Sequence, residues 1–217
     1  MMKVIPMNKY LSNNLLEIFT HLKYQNASSY LVGGCVRDYL IGQTPKDFDI
    51  VTDCPIETLI PILEDNNWKI NEAGKQFFVL IASKGNEQYE IANFRKDGTY
   101  IDGRRPSSVD IGSIQDDATR RDLSINSLYY NPYSDEILDP TANGLSDIKN
   151  KLIRMNGKPE MRIKEDLLRI MRVYRFSKQL GFEIHKKTLV ACRTHFSEMT
   201  KTIPGERIMS EVEKMVF

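Results

Sequence analysis

The part of this sequence best suited to chemistry is Asp47-Phe48-Asp49. Phe48 to Val51 reads as a strand, and alternate side chains on a strand share a face. Asp47 and Asp49 are then expected to point the same way, about 6–7 Å apart at Cα, with Phe48 turned into the core. Two carboxylates so placed suit hard cations that want oxygen ligands, Mg²⁺ first and Mn²⁺ in its place. Two such ions can activate an attacking hydroxyl and stabilise a leaving phosphate. An Asp-x-Asp alone is also common on solvated surfaces, so its neighbours decide.

Gly33-Gly34 lies one short helix upstream, between a strand at Tyr30 to Val32 and a helix over Cys35 to Leu40. Glycines at such a turn let backbone N–H groups approach a phosphate closely, and the following helix start favours negative charge. A glycine cradle just before an acidic strand makes sense as one site for a nucleoside triphosphate and its metals. Glu90, an acid among apolar residues on a strand from Tyr89 to Arg95, is the candidate third carboxylate. A glutamate facing water from an edge strand is the competing reading. Arg120-Arg121-Asp122, read alone, is also plausible as a surface ion-pair cluster.

These residues need a scaffold, and the patterning supplies an α+β one. Helices are expected over Leu11 to Lys23 and Ile56 to Asn66, and strands over Phe77 to Ser83 and Ile137 to Asp139. Asp116 to Tyr129 reads as helical at least in part, and Asp97 to Ser108 as a polar loop. The pattern then turns helical over Lys164 to Leu180, Lys186 to His195 and Gly205 to Val216. The domain reading is therefore a catalytic head over 1–150 and a helical segment over 151–217.

Composition narrows the class. Net charge is only +1 across 217 residues. From Lys151 onward there are 15 Lys+Arg and 8 Asp+Glu, which leaves 15 basic and 21 acidic residues before it. An acidic front suits metal ions and a basic rear suits a polyanion. Cys35, Cys54 and Cys192 lack metal-ligand spacing, and His21, His185 and His195 are scattered, which argues against a zinc site or a His-based triad. Short apolar runs and a start without a signal-peptide pattern point to a cytoplasmic protein with no membrane partner.

The ordered set of motifs resembles class II tRNA nucleotidyltransferases and bacterial poly(A) polymerases, of the polymerase-beta-type nucleotidyltransferase superfamily. It comprises Leu31 to Gly42, Lys46 to Thr52, Asp102 to Pro106, Arg120 to Asn126, Asp139 to Gly144 before Asp147-Ile148, Glu165 to Arg169, and Arg172 to Phe176. The resemblance implies a head built on a mixed sheet of about five strands with flanking helices, followed by an all-helical neck. It implies that Asp47 and Asp49 hold the metal and that Gly33, Gly34, Arg37 and Asp38 border the triphosphate. It also implies that Arg121, Asp122 and Asn126 contact sugar and phosphate, with Asp122 favouring ribose over deoxyribose. Arg104, Arg105 and Pro106 match the family's primer-positioning loop. Two residues depart from the pattern: Leu123 and Ser127 stand where many CCA-adding members have an aromatic and an alanine. Ile125 to Tyr130 and Lys46 to Asp49 look more like the poly(A) polymerases, and the short loop ending at Pro106 more like the CCA-adding side.

Physics supplies a base reader. On a helix over Lys164 to Leu180, Asp166 and Arg169 are three apart and share a face. Cytosine and adenine each offer an amino group beside an acceptor nitrogen, which fits an adjacent carboxylate and guanidinium. Uracil and guanine reverse both groups, and such buried mismatches discriminate by roughly 10⁴. Arg169, Arg172 and Arg175 recur every three residues as a basic ridge that either follows a phosphate backbone or is simply solvated.

The expected activity is template-independent addition of AMP or CMP to an RNA 3′ end, tRNA CCA addition from CTP and ATP first. Poly(A) synthesis and CC-only or A-only addition are the alternatives within the family. A non-catalytic RNA-binding module of the same fold is the rival of another class, and a small-molecule or protein nucleotidyltransferase is a further one. Family members usually continue past the neck into body and tail domains, which leaves room for a homodimer or a separate partner that grips the RNA.

Overall fold

The computed structural model describes residues 6–100 and 107–216. The described chain forms two compact units. One comprises residues 1–96, 110–117 and 128–140; the other comprises 97–109, 118–127 and 141–217.

The first unit is built on a seven-stranded mixed sheet. Its strands are β1 (Ser29–Val32), β2 (Asp49–Thr52), β3 (Lys69–Asn71), β4 (Val79–Lys84), β5 (Glu87–Asn93), β8 (Tyr129–Asn131) and β9 (Glu136–Leu138). The order is β3-β4-β5-β2-β1-β8-β9, so the sheet is two strands wider than the five expected. Only β2 and β5 pair in parallel; their neighbours pair antiparallel. The helices α1 (Asn13–Tyr24), α2 (Gly34–Leu40) and α3 (Ile56–Asp65) flank it. Ser12 caps α1 by accepting the Leu15 N–H, and α1 buries Leu15, Ile18, Phe19 and Leu22 at helical spacing. α3 buries Ile56, Leu59, Ile60 and Leu63 in the same way. Strand residues Leu31, Val32, Ile50, Val51, Leu80 and Ile91 complete the core.

The short strands β6 (Arg95–Asp97) and β7 (Val109–Ile111) form a two-stranded ribbon, and α4 (Ile114–Arg120) follows it.

The second unit carries α5 (Gly144–Lys149), α6 (Pro159–Glu165), α7 (Arg169–Leu180), α8 (Lys186–Thr202) and α9 (Gly205–Val216). A two-stranded parallel pair joins them, β10 (Leu152–Ile153) with β11 (Glu183–Ile184). The helix expected over Lys164 to Leu180 is in fact two. Asp166 adopts an extended conformation (φ −153°, ψ 106°) and its Oδ1 accepts the Leu168 N–H at 3.0 Å. That local side-chain bond competes with the helical ladder and breaks it. Gly181 ends α7 in the left-handed region, φ 65°, the conformation that favours glycine after a helix.

Candidate active site

In the sheet unit, pairing brings the glycine turn and the acidic strand together. β1 and β2 run antiparallel with Val32 opposite Asp49, so Asp49 begins its strand level with the residue before Gly33-Gly34. Gly33 has φ 82°, ψ −126°, which only glycine adopts without strain. A Cβ on Gly34 would meet only the Arg37 guanidinium, at 3.6 Å. Packing within the chain therefore does not demand glycine at 34, and the space it leaves fits the close approach of a phosphate group. Arg37 pairs with its neighbour Asp38, Nε to Oδ1 at 2.8 Å.

The strand reading of the acidic triplet needs one correction. β2 starts at Asp49, whereas Asp47 lies in a bend with φ 48°. The two carboxylates are therefore not alternate residues of one strand. Asp47 is exposed and Phe48 is half-buried rather than part of the core. A non-glycine residue in the left-handed region is uncommon, and such strain gathers at functional sites. Glu90 is exposed, but its strand is not at an edge: β5 lies inside the sheet, beside β2. Ile50 pairs with Ile91, so Glu90 stands level with Asp49 one strand away. Among the described residues no three His, Cys, Asp or Glu side chains gather closely enough to cage a metal. The oxygen-only pair Asp47 and Asp49 nevertheless fits a hard cation that completes its shell with substrate oxygens and water. Behind them, burial, with the charge of Asp49 adding to it, pushes the Cys35 thiol up to about 12, so it stays protonated and inert.

In the helical unit, every arginine of the expected ridge is paired. Arg169 is buried, and its Nη1 donates to Glu165 at 2.6 Å and to the Arg162 carbonyl at 2.8 Å, with the Tyr100 ring 5.8 Å from the guanidinium carbon. Arg172 donates to Asp122, and Arg175 Nε donates to Glu211 at 2.6 Å. Arg172 stays 36% exposed while paired, so the ridge is held in place by carboxylates of the chain itself. Asp166 and Arg169 sit on either side of the helix break, not on one helical face, and here Arg169 pairs with Glu165 rather than Asp166. Burial raises the Asp166 carboxyl above its ordinary value, against the pull of the Leu168 N–H and of Arg169, Arg207 and Arg172.

Arg162, Glu165 and Asn156 were not singled out by sequence reasoning. Arg162 bonds the carbonyls of Arg120 and Arg121 (3.1 Å to the latter) as well as Glu165. The spacing of Arg162 three residues before Glu165, which makes them neighbours on one helical face, was the available signal. Asn126 is buried, and Arg121 half-buried. Arg104, Arg105 and Pro106 lie outside the described residues.

Asp122 carries a pH signature. Burial opposes its charge, but the Arg172 guanidinium beside it, with help from Arg169 and the Leu123 N–H, holds the carboxyl below the ordinary aspartate range. A depressed folded value means stability present above the unfolded value, about 4, and lost as pH falls through the folded one. Arg172→Met is expected to cost about 2 kcal/mol at pH 7, less than the roughly 3–5 typical of a fully buried pair, because Arg172 is 36% exposed. In that variant the carboxyl loses its chief partner and rises, so less stability should be lost on acidification than in the parent. Urea titrations at pH 7 and pH 4 check both the size and this smaller pH dependence.

The family model for the poly(A) polymerase head domain matches residues 29–154, more than half of the chain. The chain belongs to this family. A CCA-adding enzyme of Streptococcus pyogenes serotype M2 (strain MGAS10270) is 38% identical over 203 residues, 93% of this chain and 49% of that protein. The crystal structure of the Bacillus stearothermophilus CCA-adding enzyme in complex with CTP superposes with a TM-score of 0.80 at 31% identity, over 92% of this chain and 47% of that one. A tRNA nucleotidyltransferase complexed with a primer tRNA and an incoming ATP analogue gives 0.75 at 25% identity, over 90% and 55%. This poly(A) polymerase head-domain chain thus spans about half the length of the relatives it matches. Among the described residues no helix is long and apolar enough to cross a membrane.

Proposed function

We propose that the chain catalyses template-independent addition of CMP and AMP to an RNA 3′ end, with tRNA CCA addition as the physiological reaction. The observation that carries this reading is the register of β1 and β2, which sets the Gly33-Gly34 turn just past the level of Asp49, with Gly34 free of packing demands. The primer O3′ gives its proton to solvent and forms a bond to the α-phosphorus, the bond from that phosphorus to the bridging oxygen breaks, and pyrophosphate leaves. Asp47 and Asp49 would hold Mg²⁺, with Glu90 the candidate third carboxylate, and the ion would supply Lewis-acid activation of the hydroxyl and charge compensation for the leaving phosphates. Gly33, Gly34, Arg37 and Asp38 border the triphosphate, and Arg121, Asp122 and Asn126 contact sugar and phosphate. Asp166 and Arg169 read the base, and Arg172 and Arg175 complete the nucleotide-binding set. In domain terms, 1–150 serves as the head and 151–217 as the neck with its base-recognition helix. The cytoplasm is the expected compartment.

Poly(A) addition is the second reading, favoured by Ser127 and by Lys46 to Asp49. A binding-only module has no use for the carboxylates. The test is extension of three labelled tRNAs, ending at the discriminator base, at C and at CC, with each NTP and Mg²⁺. Addition of C, C and A followed by a stop is expected. An unbounded A ladder would transfer the chain to the poly(A) reading, and RNA bound without incorporation would favour the binding module.

A further inference from the structure

Ser127, one of the two departures from the family pattern, has a partner. Its Oγ accepts from Asn156 Nδ2 at 2.7 Å while donating to the Leu123 carbonyl at 2.9 Å. The same Asn156 amide nitrogen lies 3.0 Å from the Ala118 carbonyl and 3.0 Å from the Arg121 carbonyl. Carbonyl oxygens only accept, so this surround fixes which end of the side chain is nitrogen. The Asn156 backbone N–H donates to the Asp122 carbonyl at 3.0 Å, and two residues along Ser124 N–H donates to the Arg154 carbonyl at 3.0 Å. Leu123 and Met155 bridge antiparallel between those bonds. A single buried residue therefore contacts four residues of one segment: Ala118, Arg121, Asp122 and Ser127.

That segment is the one whose side chains the proposed function assigns to sugar and phosphate. Arg121 and Asp122 are adjacent, and Arg121's carbonyl is filled from two sides, by Asn156 and by Arg162. With both lone pairs of that carbonyl engaged, the peptide joining Arg121 to Asp122 has one orientation, and the Asp122 side chain departs from the next Cα. Leu123 N–H and Arg172 then fix the carboxylate itself. We propose that Asn156 is a positioning residue for ribose selection: it sets the backbone from which Asp122 reaches the sugar, with Ser127 as its anchor. This rests on the reading of Asp122 as the residue that favours ribose. Asn156 acts through Asp122 and touches no substrate.

The test is equilibrium binding of CTP and 2′-deoxy-CTP, with Mg²⁺, to the 217-residue chain and to Asn156→Leu, Ser127→Ala and Asp122→Ala, together with thermal melts. Leucine keeps the branched shape of the Asn156 side chain, though it is larger, and removes its donors. In Asn156→Leu the ribose preference is expected to drop about tenfold, the scale on which a displaced group loses its contact. Affinity for 2′-deoxy-CTP should stay within twofold of the parent. Ser127→Ala leaves both carbonyl bonds in place and should keep the parent preference. Asp122→Ala should lose it. An unchanged preference in Asn156→Leu beside a lost one in Asp122→Ala would overturn the brace and leave the sugar reading standing. Equal loss of both nucleotides in Asn156→Leu, with the preference kept, would reduce Asn156 to a structural residue and also overturn it. If neither variant changes the preference, the Asp122 reading itself fails and takes the brace with it.

Discussion

Asp49→Ala is expected to lower nucleotide incorporation at least a thousandfold while leaving the melting temperature within a few degrees of the parent. A thousandfold is about 4 kcal/mol of transition-state stabilisation, in the range of a lost metal clamp on a transferring phosphoryl group. Asp49 is half-buried at the first position of β2, whereas its strand neighbours Ile50 and Val51 fill the core, so the packing of the strand does not rest on Asp49. Asp47→Ala should match it in activity. Asp47→Gly is the sharper variant, because glycine relieves the left-handed φ of 48° yet still removes the carboxylate. A gain in stability with activity lost in that variant would show that the left-handed backbone at Asp47 costs stability and that the carboxylate carries the function. Chelation of Mg²⁺ should reproduce the loss in the parent and add nothing in either variant. Incorporation that persists in Asp49→Ala would sink the metal-ligand assignment.

The parts of this site visible in the sequence are those set by short-range chemistry. The Gly33-Gly34 turn, the strand after Asp49 and the amphipathic helices α1, α3 and α9 all follow from local patterning. What escaped depends on one side chain overriding a pattern, or on partners far along the chain. Lys164 to Leu180 has no Pro or Gly, so its helical period runs unbroken, and only the Asp166 bond to Leu168 N–H splits it. Asp47 and Asp49 fit a strand pattern until the backbone turns at Asp47. β8 was hidden because Leu128 to Tyr130 continues the apolar run after Asn126. Arg175 finds Glu211 36 residues on, and Arg172 finds Asp122 50 residues back. Neither separation carries a periodic signal. From sequence the basic ridge is open to a phosphate-following or a solvated reading, and the structure adds that its arginines are ionically paired.

That pairing shapes the expected outcome for the base reader. Arg169 is bound to Glu165 and to the Arg162 carbonyl, and Glu165 also holds Arg162. A guanidinium so held is pre-organised: its plane is set before a base arrives, which limits the entropy lost on binding. Arg169→Lys keeps the charge but replaces the planar fork with a single ammonium that cannot satisfy Glu165, the carbonyl and a base together. Incorporation of CMP and AMP is expected to fall by about 10²–10³, or about 3–4 kcal/mol, while the slow incorporation of UMP and GMP changes little. Discrimination against the wrong bases should thus shrink from roughly 10⁴ toward roughly 10–100. Asp166→Asn should act in the same direction, since an amide can present either a donor or an acceptor and so tolerates both base classes. Single-turnover incorporation of each of the four nucleotides by the two variants measures the effect directly. If the four rates fell in proportion, Arg169 would serve the backbone of the helical unit and the base would be read elsewhere. If CMP and AMP alone fell, the pair across the helix break would be the reader, and Glu165 the residue that keeps it ready.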